Sequence, residues 1–206
     1  SDNINVIAHT GDIVGNGSVI SYWTDQFMRP FSALSAYIPF LSVAGNHEVE
    51  HQNYYTYVKY DDITAYPPSH PLFEKIWTYR LPRILFIGLN SNVIAAYGET
   101  QRQWLDTKLA EVENDTTIDF VFCFLHHTPV TELWGEGNTA YVANDIIGVL
   151  KKYTKVQQLS YGHTHAYEMG VIQSEAANSN GDFRISCVGG GGGDRDRWGE
   201  YTNFDY

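Results

Sequence analysis

Four short clusters carry the residue types of metal and phosphate chemistry: Gly11-Asp12, Gly45-Asn46-His47-Glu48, His126-His127 and Gly162-His163-Thr164-His165. Asp12 offers a carboxylate, Asn46 an amide oxygen, and the clusters hold five of the eight histidines in 206 residues. Mixed nitrogen and oxygen donors suit Mn, Fe, Zn or Co better than Ca. The glycines have a physical role as well. A loop that folds a side chain back over a strand end often needs positive φ or a close backbone approach, and glycine permits both. His163 and His165 stand two apart, so an extended segment puts them on one face. On a strand-end loop they can serve two adjacent metals. A carboxylate such as Asp12 can bridge two cations, and paired cations clamp the attacking and leaving oxygens of phosphoryl transfer. A histidine that binds no metal is then available to protonate the leaving group. Each cluster alone has an ordinary reading: Gly-Asp as a turn, Asn46 as a cap, a strand-end histidine as a hydrogen-bonded ring. Four of them at strand ends point to a shared site.

The elements that must position these residues are short apolar runs. Residues 4–8, 38–43, 120–125 and 156–160 each read as a strand that stops at or just before a cluster. Residues 83–89 and 183–188 read as further strands, the last running into Gly189 to Gly193. Helices are expected over residues 19–31, over 100–113 and on the stripe Val142, Ile146, Val149, Leu150 and Tyr153. Thr100 and Gln103 match a capping box, and Leu105, Leu109 and Val112 follow at helical spacing. Residues 49–80, with breakers at Pro67, Pro68 and Pro71, read as a long irregular excursion. The alternation predicts an α/β domain spanning 1–206, with ligands at the carboxyl ends of its strands.

Composition bounds the partners. Thirteen basic against 24 acidic residues give a formal charge of −11, which excludes a broad basic face for extended nucleic acid. An anionic substrate must then be held by something other than net charge, and a bound metal would do it. Two cysteines exclude a disulfide scaffold. No run of 18 apolar residues predicts a membrane span, and Ser1-Asp2-Asn3 carries no basic or apolar signal segment.

Taken together, Gly-Asp, Gly-Asn-His-Glu, His-His-x-Pro and Gly-His-Thr-His resemble the calcineurin-like metallophosphoesterases, and more closely their purple acid phosphatase branch. The resemblance spans about residues 4 to 195 and includes Gln103-Trp104-Leu105, Ala166-Tyr167-Glu168 and the glycine run. It implies a four-layer α/β/β/α sandwich and a dinuclear centre of two divalent or trivalent ions, Mn, Fe or Zn. It implies that Asp12 bridges both metals, that Asn46, His126 and His163 bind the second, and that His165 binds the first. His126 is taken over His127 because it directly follows the strand. His47 would orient the phosphate beside Asn46 and protonate the leaving oxygen, while a metal-bound hydroxide attacks phosphorus in line. The implied activity is hydrolysis of phosphomonoesters or phosphodiesters, with a phosphorylated small molecule or nucleotide as substrate. The exported branch, together with few lysines and many Tyr and Asn, suggests a secreted or periplasmic location.

The sequence departs from the family twice. The family's Asp-x-His motif, which supplies two ligands to the first metal, does not occur upstream of Asp12, so the fold is expected to lack its first strand and helix. The family's iron-binding tyrosine has Gly15 at its position, so no tyrosinate colour is expected. The competing expectation is a catalytically impaired or single-metal binding module that keeps the fold. Among the remaining residues, His9, His51, His70, Tyr54, Tyr55 and Tyr57 read as packing or loop residues. Trp134 could flank a substrate or pack, and Cys123 reads as inert core.

Overall fold

The computed structural model describes residues 4–48, 50–134, 138–175, 181–191, 193 and 195–197. Two sheets form its centre. Strands β1 (Ile7–His9) and β2 (Phe40–Ser42) pair in parallel, with Ala8 opposite Leu41. The larger sheet contains β3 (Trp77–Leu81), β4 (Arg83–Gly88), β5 (Ile118–Phe124), β6 (Val156–Tyr161), β7 (Tyr167–Ile172) and β8 (Phe183–Val188), in the order β3-β4-β5-β6-β8-β7. Its inner strands β4, β5, β6 and β8 run parallel, and both edges, β3 and β7, are antiparallel to their neighbours.

Period-2 alternation decides which side chain meets which layer. Leu85, Ile87, Val121, Cys123 and Leu159 point to one face. There they pack against Leu105, Leu109 and Val112 of the Ile94–Glu113 helix and against Val142, Ile146, Val149 and Leu150 of a second helical segment. The intervening Phe86, Phe122 and Phe124 point the other way, onto Ala8 and Leu41 of the small sheet and Trp23 and Phe27 of a helical segment over 20–35. The layers therefore run helix, sheet, sheet, helix. Each fully buried Leu or Ile here contributes about 1.5–3 kcal/mol.

The helical segment over 20–35 contains a π-helical stretch, Trp23–Met28, that ends just before Pro30, which has no N–H to donate. The Ile94–Glu113 helix starts earlier than the capping pattern predicts. Thr100 lies inside it, no side chain caps Val93, and Glu99 instead accepts from Arg102 and Gln103. The 49–80 excursion is irregular in most of its length but holds the Gln52–Tyr57 helix and β3. Both elements, and β7, go beyond the sequence reading.

Candidate active site

Asp12 follows β1, Asn46 follows β2, His126 follows β5 and His163 follows β6, so all four reach the same end of the sandwich. The close meeting of the first two loops explains their glycines. A Cβ on Gly11, whose φ is +93, would lie 2.7 Å from the Gly45 nitrogen and 2.8 Å from His126 Nδ1. A Cβ on Gly45 would lie 2.2 Å from Asp12 Oδ1. Asp12 and His163 are themselves in the left-handed region, at φ 56 and 70, a strained placement that clusters at functional sites.

Four donor atoms converge. His126 Nε2 lies 3.2 Å from Asp12 Oδ2 and 2.9 Å from Asn46 Oδ1. His163 Nδ1 lies 2.9 Å from the same Asn46 oxygen and 3.2 Å from His126 Nε2. His126 is only 1% exposed, and its Nδ1–H donates to the Thr10 carbonyl at 2.8 Å. That bond fixes the tautomer and leaves Nε2 bare, as a metal ligand requires. A carboxylate oxygen, an amide oxygen and two imidazole nitrogens thus face one another with at most one imidazole proton to share. The electron pairs repel unless a cation sits among them, so the donor set fits the metal that the motif pattern implies. The Asp12, His126 and His163 atoms all lie within 4.8 Å of one another.

Electrostatics keep these donors in their binding forms. Burial pushes the Asp12 carboxyl up, but hydrogen bonding, including the His47 backbone N–H, outweighs it and holds it at about 2. Burial lowers His163 to about 4, so its ring is neutral at pH 7.

His47 donates its backbone N–H to Asp12 Oδ1 at 2.9 Å, and its Nδ1–H donates to the Gly15 carbonyl at 2.8 Å. The ring is exposed, with Nε2 left for a mobile proton. His165 stands apart from the four-donor group. Asp196 accepts its backbone N–H at 2.9 Å, and a second Asp196 oxygen lies 3.6 Å from its Nδ1. His127 is not part of the group either: its Nδ1 pairs with Ser91 Oγ at 2.7 Å.

Glu48 is the site residue whose work the sequence reading missed. It is fully buried, and one oxygen accepts Asp12 N–H at 2.9 Å and Gly45 N–H at 2.6 Å while the other accepts Ile13 N–H at 2.8 Å. Burial and the Asp12 charge raise its carboxyl. Asn92 holds the second of these loops, donating to the carbonyls of Ala44 and Gly45 at 3.1 Å. The only sequence signal was a glutamate closing the Gly-Asn-His cluster.

The residues set aside in the sequence are local. His9 Nδ1 accepts the Gly11 N–H, His51 caps the Gln52–Tyr57 helix, and His70 stacks on Tyr66 at 4.0 Å. Tyr54 and Tyr55 are buried packing residues, and both cysteines are buried and free. Gly192, within the glycine run, lies outside the described residues.

A cleft of about 680 Å³ opens beside the donors, and its lining includes Asp12, His47, His163 and His165 together with Phe27, Phe31 and Phe40. A smaller pocket of about 170 Å³ holds Asn46, His47, Trp134, His165 and Asp196.

Comparison with known proteins bears on the family and the fold. An uncharacterized protein of Mycobacterium tuberculosis is 28% identical over 166 residues, 72% of this chain and 31% of that one. A probable cyclic nucleotide phosphodiesterase of Vesicomyosocius okutanii is 25% identical over 169 residues, 79% of this chain and 63% of that one. This chain therefore spans less than two thirds of either relative. A purple acid phosphatase from yellow lupin (Lupinus luteus) seeds shares the fold, with a TM-score of 0.72 and 19% identity over 98% of this chain and 39% of that one. The family pattern of the calcineurin-like phosphoesterases matches residues 1–167, a stretch that takes in all four donor clusters, and the chain belongs to that family.

Proposed function

We propose that the chain hydrolyses phosphate monoesters or diesters at the strand-end cleft, with Asp12, Asn46, His126 and His163 holding one metal ion and Asp12 and His165 a second. The observation that carries this reading is the convergence of four donor atoms with almost no proton between them, beside an exposed histidine. A metal ion there supplies Lewis acidity toward a phosphoryl oxygen and makes water a better nucleophile. The chain's own residues do the rest. Asp12 accepts the His47 N–H, which sets the ring beside the ion position. Gly15 keeps the Nδ1 proton, so His47 Nε2 is the atom that gives its proton to the leaving oxygen. The relative named as a cyclic nucleotide phosphodiesterase supports including diesters.

The test is turnover of an aryl phosphate and an aryl phosphodiester after loading with Mn, Zn or Fe. Turnover that chelation abolishes is expected, and none under any loading sinks the reading. His47→Ala should lower kcat by about 10²–10⁴-fold with metal content unchanged. Loss of metal instead would make His47 a ligand.

One observation favours a second reading, a module holding a single ion. His165 lies outside the four-donor group and is engaged by Asp196. Metal analysis separates the two: two ions per chain support the dinuclear enzyme, one supports the module.

A further inference from the structure

Trp134 has no part in holding the metal. Its ring nevertheless sits 4.9 Å from the His163 ring and tilted 32° to it, and it walls the small pocket that also contains His47. A leaving oxygen must come within hydrogen-bond reach of His47 Nε2 to be protonated. His47 borders both this pocket and the larger cleft, and a group on that oxygen that enters the small pocket lies against the indole. The lining also carries the carboxylates of Asp12 and Asp196, and no Lys or Arg among the described residues lines the space. A flat ring gains stacking on the indole, whereas a leaving group bearing a second phosphate or a carboxylate meets two acidic side chains.

We infer that Trp134 is a specificity residue that selects phosphoesters whose leaving group carries an uncharged aromatic ring, as in an aryl alcohol or a nucleoside. This rests on the phosphoesterase reading. In the reaction, a water oxygen bonds to phosphorus and gives up a proton to solvent. The bond from phosphorus to the leaving oxygen breaks with its electron pair on that oxygen, which takes the His47 Nε2 proton. His47 regains a proton from solvent.

The experiment compares phenyl phosphate with ethyl phosphate in the metal-loaded wild type, Trp134→Ala and Trp134→Phe. Trp134→Ala should lower kcat/KM for the phenyl ester about tenfold and leave the ethyl ester within about twofold, and Trp134→Phe should keep most of the phenyl rate. Calorimetry with phenylphosphonate and ethylphosphonate reads the same preference without turnover. The wild type should bind the phenyl compound about tenfold more tightly, and Trp134→Ala should level the two. Equal losses on both esters, equal affinities in the wild type, or loss of bound metal from Trp134→Ala would overturn the inference and make Trp134 a support for His163. An aryl preference in binding with no turnover of any ester would sink the phosphoesterase reading and leave the aromatic subsite standing.

Discussion

Glu48 shows how a residue that touches neither metal nor substrate can govern a site. Its carboxylate takes N–H groups from two loops, so Asp12 and Asn46 are placed relative to each other through a buried acceptor. Glu48→Ala leaves several buried N–H groups unpaired at about 1–3 kcal/mol each, and thermal unfolding should show a drop of that order or greater. Glu48→Gln keeps the shape but turns an amide NH₂ toward donors, and it should lose metal affinity as well as stability. An unchanged metal affinity in the glutamine variant would count against this role. The convergence of Asp12, Asn46, His126 and His163 was legible in the sequence because donor types and flanking glycines mark them locally, whereas His165 lies outside that group. The parts played by Glu48, Asn92 and Asp196 were not. Each acts through a contact across at least 31 positions of chain, which no local pattern encodes.

At the scale of elements, the strands entering the site followed from apolar runs within a few residues of their ends. Two others did not. β7 shows Tyr167, Met169 and Val171 outward on an edge, so its alternation runs against the usual inward apolar face. β3 was hidden among the prolines and polar groups of the 49–80 excursion. The long helix was misplaced because its start has no side-chain cap to mark it, and it is held by packing of Leu105, Leu109 and Val112.

An ionic knot around Glu50 helps tie the excursion down. Glu50 pairs with Lys75 and accepts from Tyr55 Oη at 2.7 Å and Asn90 Nδ2 at 2.8 Å. Burial raises the Glu50 carboxyl, but Lys75 and the hydrogen bonds outweigh it and set it below its ordinary 4.5. A group depressed on folding stabilises above its unfolded pKa and loses that contribution as pH falls through the folded one. The Tm gap between wild type and Glu50→Gln should therefore be full at pH 7 and close below about pH 4.5. A gap that widens on acidification would contradict the assignment.

For the whole molecule, a formal charge of −11 is compatible with phosphate chemistry only if positive charge is concentrated at the cleft, whose lining contains no Lys or Arg among the described residues. Binding should consequently stabilise the fold. At one hundred times Kd the gain is about 2.7 kcal/mol, which for a chain of this size raises Tm by about 5–10 °C. Differential scanning calorimetry with Mn or Zn should show the rise, and His163→Ala should abolish most of it. A rise of equal size in that variant would place the metal elsewhere.

The donors also come from two different sheets. Asn46 stands 80 positions from His126 and 117 from His163 in the chain, yet shares one oxygen with both. An ion seated there would fasten distant parts of the polypeptide as a cross-link does. Closing so long a loop carries an entropic cost that grows only slowly with length. The centre therefore cannot assemble before both sheets have met, and a chain with only one of them formed has no tight place for the ion. Metal capture would then report completed folding, and chelation would loosen the seam between the sheets before it disturbed either one.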